Sequence, residues 1–293
     1  MSDRILNAMT IDVEEHFQVA AFKNAVDAGT WGNQPSRVVA NTERCLKVLD
    51  DANTKATFFT LGWVAERYPE LVRTIHREGH EVACHGYSHQ LIYEQSREVF
   101  HQETFRAKRV LEDAIGGPVH GYRAASYSIT RRSLWALDTL VEAGFRYDSS
   151  IFPVHHDNYG IPNSPRHPYT IETPNGGNLV EFPITTSKIA GVKVPVAGGG
   201  YFRLFPYWLT RTGLRRVNYV ERRPFVFYLH PWEVDPEQPR IEASLLSRFR
   251  HYNNLRKTEP RLKTLLSDFS FDRIDRVLDR VVLADEPLAL SPA

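Results

Sequence analysis

Two histidines stand four residues apart in Cys84-His85-Gly86-Tyr87-Ser88-His89, directly after the apolar run Val82-Ala83-Cys84. The run reads as the end of a strand. If the chain turns helical at Gly86, a spacing of four puts both imidazoles on one face. One segment then offers two nitrogen ligands to one metal ion. Two histidines and a carboxylate make a metal site with open positions, the arrangement of hydrolytic zinc enzymes. The open positions take a substrate oxygen and a water whose pKa the metal lowers. A second carboxylate can accept the proton of that water, and a separate histidine can protonate a leaving nitrogen. Asp12, Glu14, His85, His89 and His230 can supply this set, with Arg123 and Asp148 holding base and acid in orientation.

The carboxylates are sorted by strand parity. Residues two apart in an extended strand face the same side, so Asp12 and Glu14 point together and Glu15 points away. Asp12 is assigned as base and Glu14 as metal ligand. Glu15 is the rival ligand if the strand breaks at Val13. His155-His156 follows Asp148 and can border the pocket, whereas His16, His76, His80, His101, His120, His167 and His251 read as structural or surface residues.

Elements to position these residues are legible along the chain. Strands are predicted at Ile5–Ile11, Ala56–Leu61, Glu81–Cys84, Val119–Tyr122 and Phe145–Tyr147. Between them lie helices: one from Ser36 to about Leu49, one opened by Pro69 and closed by Gly79, one capped by Ser96 and ending at Gly116-Gly117, and one capped by Thr130 and closed by Gly144. This alternation with short connections predicts a mostly parallel sheet with helices outside. Asp12, His85, Arg123 and Asp148 each stand at the carboxyl end of a strand, the rim where such sheets carry their sites.

The pattern then changes. His155 to Gly200 is rich in Pro, Gly and Asn, and Tyr169–Thr173 with Leu179–Thr185 reads as a hairpin within an insertion at about 155–205. Ala197-Gly198-Gly199-Gly200-Tyr201-Phe202 lacks the strand-loop-helix frame of a phosphate cradle and reads as close backbone packing or a substrate-side loop. Pro206–Val220 is predicted helical, and Phe225–Leu229 as a buried strand ending at His230-Pro231-Trp232-Glu233. Residues 242–283 are predicted to hold two or three helices, one of them Asp272–Leu283 capped by Ser270. No linker composition or internal repeat divides the chain. It reads as a single domain over 1–293, with a catalytic barrel at about 5–235 and a helical extension at about 240–285.

Composition narrows the function class. A formal net charge of +1 over 293 residues gives no strong field for nucleic acid or an anionic membrane. Two cysteines, Cys45 and Cys84, make no disulfide framework and suit a reducing compartment. The amino terminus builds no signal-peptide core, and no stretch has transmembrane length, so a cytoplasmic location is expected. Aromatic residues make up 12% of the chain, a supply for stacking on sugar rings as well as for the core.

The order of the motifs resembles the polysaccharide deacetylase family, the NodB-homology carbohydrate esterases. The matching runs are Thr10-Ile11-Asp12-Val13-Glu14, His85-Gly86-Tyr87-Ser88-His89, Gly121-Tyr122-Arg123-Ala124-Ala125-Ser126-Tyr127, Asp148-Ser149-Ser150-Ile151-Phe152-Pro153 and Leu229-His230-Pro231, spanning about residues 5–232. Tyr147 through Pro153, His230 through Glu233 and Arg248-Phe249-Arg250-His251-Tyr252 look closest to deacetylases of bacterial exopolysaccharide and protein-sorting loci.

That resemblance implies an α/β fold, a distorted (β/α) barrel with fewer strands than the usual eight. It implies metal-dependent removal of an N-acetyl, less often O-acetyl, group from an amino sugar in a polymer or its lipid-linked precursor, with one divalent ion, zinc by expectation. Asp12 would be the base, His85 and His89 ligands, and Arg123 the group orienting the base. Asp148 would support the acid, His230 would be the acid, and the peptide N–H near Tyr127 would help hold the oxyanion.

Three departures from the family pattern stand out: Val13 follows Asp12 where the family has a second Asp, Gly86 follows the first histidine, and Ala125 stands where Pro is common. Tyr127 and Trp232 are candidates to floor the sugar site. Two rival functions remain, a C–N amidohydrolase acting on a small amide such as a ureide, and a non-catalytic glycan-binding protein.

Overall fold

A computed structural model describes residues 5–156, 159–189, 191–284 and 286–291. Strand β1 (Leu6–Val13) is almost wholly buried. Its side chains alternate between two apolar clusters. Met9, Ile11 and Val13 face the helices, whereas Ala8 joins Phe59, Ala83, Tyr147 and Tyr228 on the opposite, inner face. Asp12 shares the parity of Ala8 and therefore points inward.

Strands β2 (Thr57–Thr60), β3 (Glu81–Cys84), β4 (Gly121–Tyr122) and β5 (Tyr147–Asp148) follow in spatial order, each parallel to the one before. β6 (Tyr169–Glu172) and β7 (Asn178–Glu181) form the predicted antiparallel hairpin. It is no separate insertion: β7 also pairs in parallel with β5 and so extends the main sheet, and Phe182 just beyond it enters the inner cluster. Of the predicted insertion, residues 157, 158 and 190 lie outside the described residues. β8 (Thr186–Ile189) and β9 (Val192–Pro195) make a separate two-stranded ribbon. β10 (Val226–Leu229) flanks β1 on the side away from β2. β11 (Ser270–Asp272) pairs the start of β1, and β12 (Leu288–Ala289) pairs β6.

Among the described residues the result is a mostly parallel sheet with helices outside, as expected of the α/β fold, but it has ten strands where the resemblance implies fewer than eight. Between β7 and β10 the wall is carried by extended chain. Ile184 N donates to Ile151 O, Val226 N to Thr185 Oγ1 and Tyr228 N to Ala197 O. Gly198 sits in that wall because a Cβ there would lie 1.9 Å from Tyr228 O, which bears out the close-packing reading of the glycine loop.

The outer helices Val38–Asp51, Pro69–Arg77, Arg97–Ile115 and Ala136–Glu142 bury their apolar stripes on the sheet. Ser96 caps its helix through Val99 N at 3.2 Å. Two other predicted caps do not form. Ser36 spends its hydroxyl on Glu15, and Thr130 bonds Ser133 while the helix begins only at Ala136.

The C-terminal region folds as helices Leu245–Tyr252, Leu255–Asp268 and Ile274–Leu278. Ser270, predicted as a helix cap, stands in β11 instead, because Phe271 packs on Phe225 at 5.6 Å while the backbone pairs with β1. Helix Leu255–Asp268 rests on the turn Pro231–Val234 after β10, and Ile274 and Val277 join the inner cluster.

Candidate metal centre

Arg123, at the end of β4, is fully buried. Its Nη1 donates to Asp12 Oδ1 at 2.7 Å and to Thr10 Oγ1 at 2.8 Å, and its Nη2 donates to Ser149 Oγ at 2.9 Å. The ring of Phe59 lies 4.1 Å from the guanidinium. A buried charge is tolerable only when paired and hydrogen-bonded in this way. One oxygen of Asp12 is thereby pinned, leaving Oδ2 turned toward His230, 4.0 Å from its Nε2.

The two histidines after β3 do not lie on a helix. The segment is a loop in which Gly86 and His89 take left-handed conformations, φ +75° and +52°. A helix is ruled out because the carbonyls of Gly86 and Tyr87 accept from Gly62 and Trp63 N–H, capping the start of helix Gly62–Arg67. The loop nevertheless brings the imidazoles together, their ring centroids 5.6 Å apart.

Glu14, one residue past β1, meets them. Ligand atoms of Glu14, His85 and His89 lie within 4.8 Å of one another. Glu14 Oε2 is 2.7 Å from His89 Nε2 and 4.0 Å from His85 Nε2. His85 Nδ1 is 2.8 Å from the Arg123 carbonyl, which makes Nδ1 the protonated nitrogen and leaves Nε2 buried with no hydrogen-bond partner. Burial, outweighing Asp12 and Glu14, pushes the His85 pKa down to about 4, so the ring is neutral and its lone pair free. Burial alone would raise the Glu14 carboxyl, but His89, His230 and His85 together hold it well below the usual carboxylate range. One carboxylate, two imidazoles and an orphaned inward nitrogen fit a divalent ion. Glu15 is elsewhere. Its carboxylate accepts from Arg37 N at 3.0 Å and from Ser36, at the start of helix Val38–Asp51.

His230 follows β10. Its Nδ1 lies 3.0 Å from Glu233 Oε2, which also accepts from His230 N at 2.9 Å, while Arg203 Nε donates to the other Glu233 oxygen at 2.5 Å. Burial works against a charge on His230, but Glu14, Glu233 and Asp12 outweigh it and push its pKa up to about 9. The sequence assigns this supporting role to Asp148. In the structure Asp148 instead accepts from Ser150 Oγ at 2.5 Å and faces Glu181, its register partner on β7. Burial pushes both carboxyls up, Asp148 to about 6, so this pair retains a proton. Glu233 was visible only as the end of His-Pro-Trp-Glu: a carboxylate three residues after His230, with Pro at the first helical position, is the signal of a short capped turn.

Both aromatic candidates for the sugar site are buried. Trp232 is 5% exposed and sandwiched, with His230 at 5.0 Å on one side and His251 at 4.1 Å. Its Nε1 donates to Glu14 Oε1 at 3.1 Å. Tyr127 is buried against Phe152 and Tyr228. The Tyr127 peptide N–H donates to Ala124 O at 3.1 Å. His251, read from sequence as structural, proves to be the outer leaf of the Trp232 sandwich, its Nε2 2.7 Å from Gln238 Oε1.

Comparison with known proteins follows the same outline. Residues 25–147 match the family model described as polysaccharide deacetylase, and residues 149–279 match a domain of unknown function, DUF3473. The first match includes His85, His89 and Arg123 and stops short of Asp12, Glu14, Asp148 and His230. A peptidoglycan-N-acetylglucosamine deacetylase of Bacillus cereus is 33% identical over 75 residues, 26% of this chain and 27% of the relative. A chitooligosaccharide deacetylase of Bradyrhizobium is 32% identical over 99 residues, 34% of this chain and 43% of the relative. The chain thus spans less than half the length of these curated relatives.

Among solved structures, a candidate polysaccharide deacetylase from Mycobacterium smegmatis superposes with a TM-score of 0.62 at 19% identity, covering 98% of this chain and 97% of that one. Puue allantoinase superposes at 0.60 with 17% identity over 94% and 89% of the two chains. Likeness at these identities concerns the fold.

Proposed function

We propose, from the match of residues 25–147 to the polysaccharide deacetylase family model, that this chain is a metal-dependent hydrolase removing N-acetyl groups from amino sugars of an exopolysaccharide or its precursor. The observation that carries the reading is the convergence of Glu14, His85 and His89, with Asp12 and His230 standing over them.

Glu14, His85 and His89 would hold one divalent ion, zinc by donor type. Such an ion supplies an acidified water and a polarised acetyl carbonyl. The remaining work belongs to this chain's own side chains. Asp12, its Oδ1 held by Arg123, accepts the proton of the attacking water at Oδ2. His230, its Nδ1 held by Glu233, presents a protonated Nε2 to the leaving nitrogen. Arg123 and Glu233 move no proton; they fix the two groups that do. The Asp148–Glu181 pair stands behind Ser150, whose Oγ accepts from Ala124 N at 2.8 Å, and so shapes the loop that carries Arg123.

Peptidoglycan and chitooligosaccharide deacetylases among the relatives support an acetylated amino-sugar polymer as the substrate class. A cytoplasmic location belongs to the same reading. Both cysteines are buried and free, and among the described residues no helix is long and apolar enough to cross a membrane.

The test is elemental analysis of wild type and His89→Ala prepared side by side, with acetate release from an N-acetylglucosamine oligomer. About one metal per chain, lost in the variant together with acetate release, is the expected result. Metal content with release of ammonia or urea from a ureide, and no acetate, would favour the small-amide reading. Glycan binding without turnover, equal in both proteins, would favour the binding module.

A further inference from the structure

Helix Leu245–Tyr252 turns two different faces to its surroundings. On one, His251 is buried and stacks on Trp232 at 4.1 Å. On the other, Leu245, Leu246 and Phe249 are 83%, 57% and 57% exposed. Phe249 follows Leu245 by four residues and Leu246 by three, spacings that put the three on one side of a helix. At the end of the same helix Tyr252 lines a cavity of about 700 Å³ together with Glu237, Gln238, Arg240, Arg256 and Lys257. The Arg240 guanidinium lies 4.2 Å from the Tyr252 ring. Residues 237–257 hold five basic and two acidic side chains, a local excess of three positive charges in a chain whose total is +1. Among the described residues the two acids form ion pairs with Arg248, at 3.8 Å, and Arg256, at 3.4 Å.

Single exposed apolar side chains are ordinary. Three on one helix side, beside a cationic depression, form the pattern of a helix that lies in a bilayer interface. We propose that this face docks on an anionic lipid surface, with Leu245, Leu246 and Phe249 among the acyl chains and Arg240, Arg256 and Lys257 around headgroup phosphate. Charge argues for lipid over a second copy of the chain. A two-fold contact would set the same basic patch against itself, whereas an anionic leaflet complements it. Because His251 on the buried side touches Trp232, docking holds the candidate centre one helix away from the bilayer. On the deacetylase reading, the substrate class is then an amino-sugar chain carried on a membrane-anchored lipid.

The experiment is co-sedimentation of the full chain with vesicles of phosphatidylcholine alone or with about 30% phosphatidylglycerol, at low and high salt. The expected result is at least about tenfold stronger binding to the anionic vesicles, weakened by salt. Leu245→Ser/Leu246→Ser/Phe249→Ser should lose at least about tenfold at both salt levels, while Arg240→Gln/Arg256→Gln/Lys257→Gln should lose the anionic preference. Circular dichroism confirms that the variants fold. No vesicle binding, equal binding to both vesicle types, or variants that bind like wild type would overturn the inference. So would self-association in sedimentation analysis that the serine variant abolishes, since it assigns the face to a second copy. The readout needs neither metal nor turnover, so its failure and the failure of the deacetylase reading are separate results.

Discussion

Trp232 Nε1 donates to Glu14 Oε1 at 3.1 Å, and this single bond decides which oxygen of Glu14 is left for His89 and His85. Trp232 is itself clamped between His230 and His251, so the carboxylate is oriented by a rigid stack. Trp232→Phe keeps an aromatic ring in the sandwich and removes the donor. Metal affinity, measured by titration of the apo-protein, is expected to fall about 10- to 100-fold, the usual cost of losing an outer partner of a ligand. Unchanged affinity would remove Trp232 from the site.

Asp12→Asn retains an oxygen that can accept from Arg123 but cannot take a proton. The expected outcome is wild-type metal content with turnover reduced about 10²- to 10⁴-fold. A metal-free Asp12→Asn protein would mean that base and ligand have been exchanged in the assignment.

Glu14→Gln and Glu15→Gln separate the two adjacent acids. The first should strip the metal. The second should leave metal content intact and cost about 1 kcal/mol of stability, because Glu15 accepts from Arg37 N and Ser36 at a helix start. Elemental analysis with denaturant unfolding of both variants decides between them.

Glu233 is one of the groups that raise His230 toward about 9. A general acid must be protonated to act, so activity falls on the alkaline side of its pKa. Glu233→Gln removes part of the raising charge, lowers that pKa, and should move the alkaline limb of kcat/KM to lower pH. A limb that stays in place would show that His230 is not the group titrating there.

Far from the centre, Glu81 is pushed up to about 7, mainly by burial and then by Asp275. Its native pKa lies above the unfolded value, so the native state binds the extra proton. Stability contributed by this group is full below about pH 4.5 and is lost as pH rises toward 7. Glu81→Gln should flatten the pH dependence of unfolding across that window by about 3 kcal/mol, as read from denaturant melts at several pH values.

Several parts of the site were open to inspection in the chain itself. Alternation of strand and helix patterns located β1 through β5 to within about three residues, and period-two parity separated Asp12 and Glu14 from Glu15. The chemistry of His, Asp and Arg at strand ends needs only residue type and order. The helical explanation for His85 and His89 failed, although the two rings do meet. Loop carbonyls claimed by Gly62 and Trp63 lie beyond any local pattern.

Other features exist only because distant segments meet. The pairing of Asp148 with Glu181 depends on β7 docking beside β5, which no local spacing encodes. Trp232 reads from sequence as a candidate sugar platform, and His251, from a helix nineteen positions later, covers its second face. Residue type and two-residue periodicity are short-range properties, so sequence determined which groups could do chemistry and which way β1 presents them. Which carboxylate supports His230, which ring is buried and which face stays exposed follow from long-range packing, and only the tertiary structure decided them.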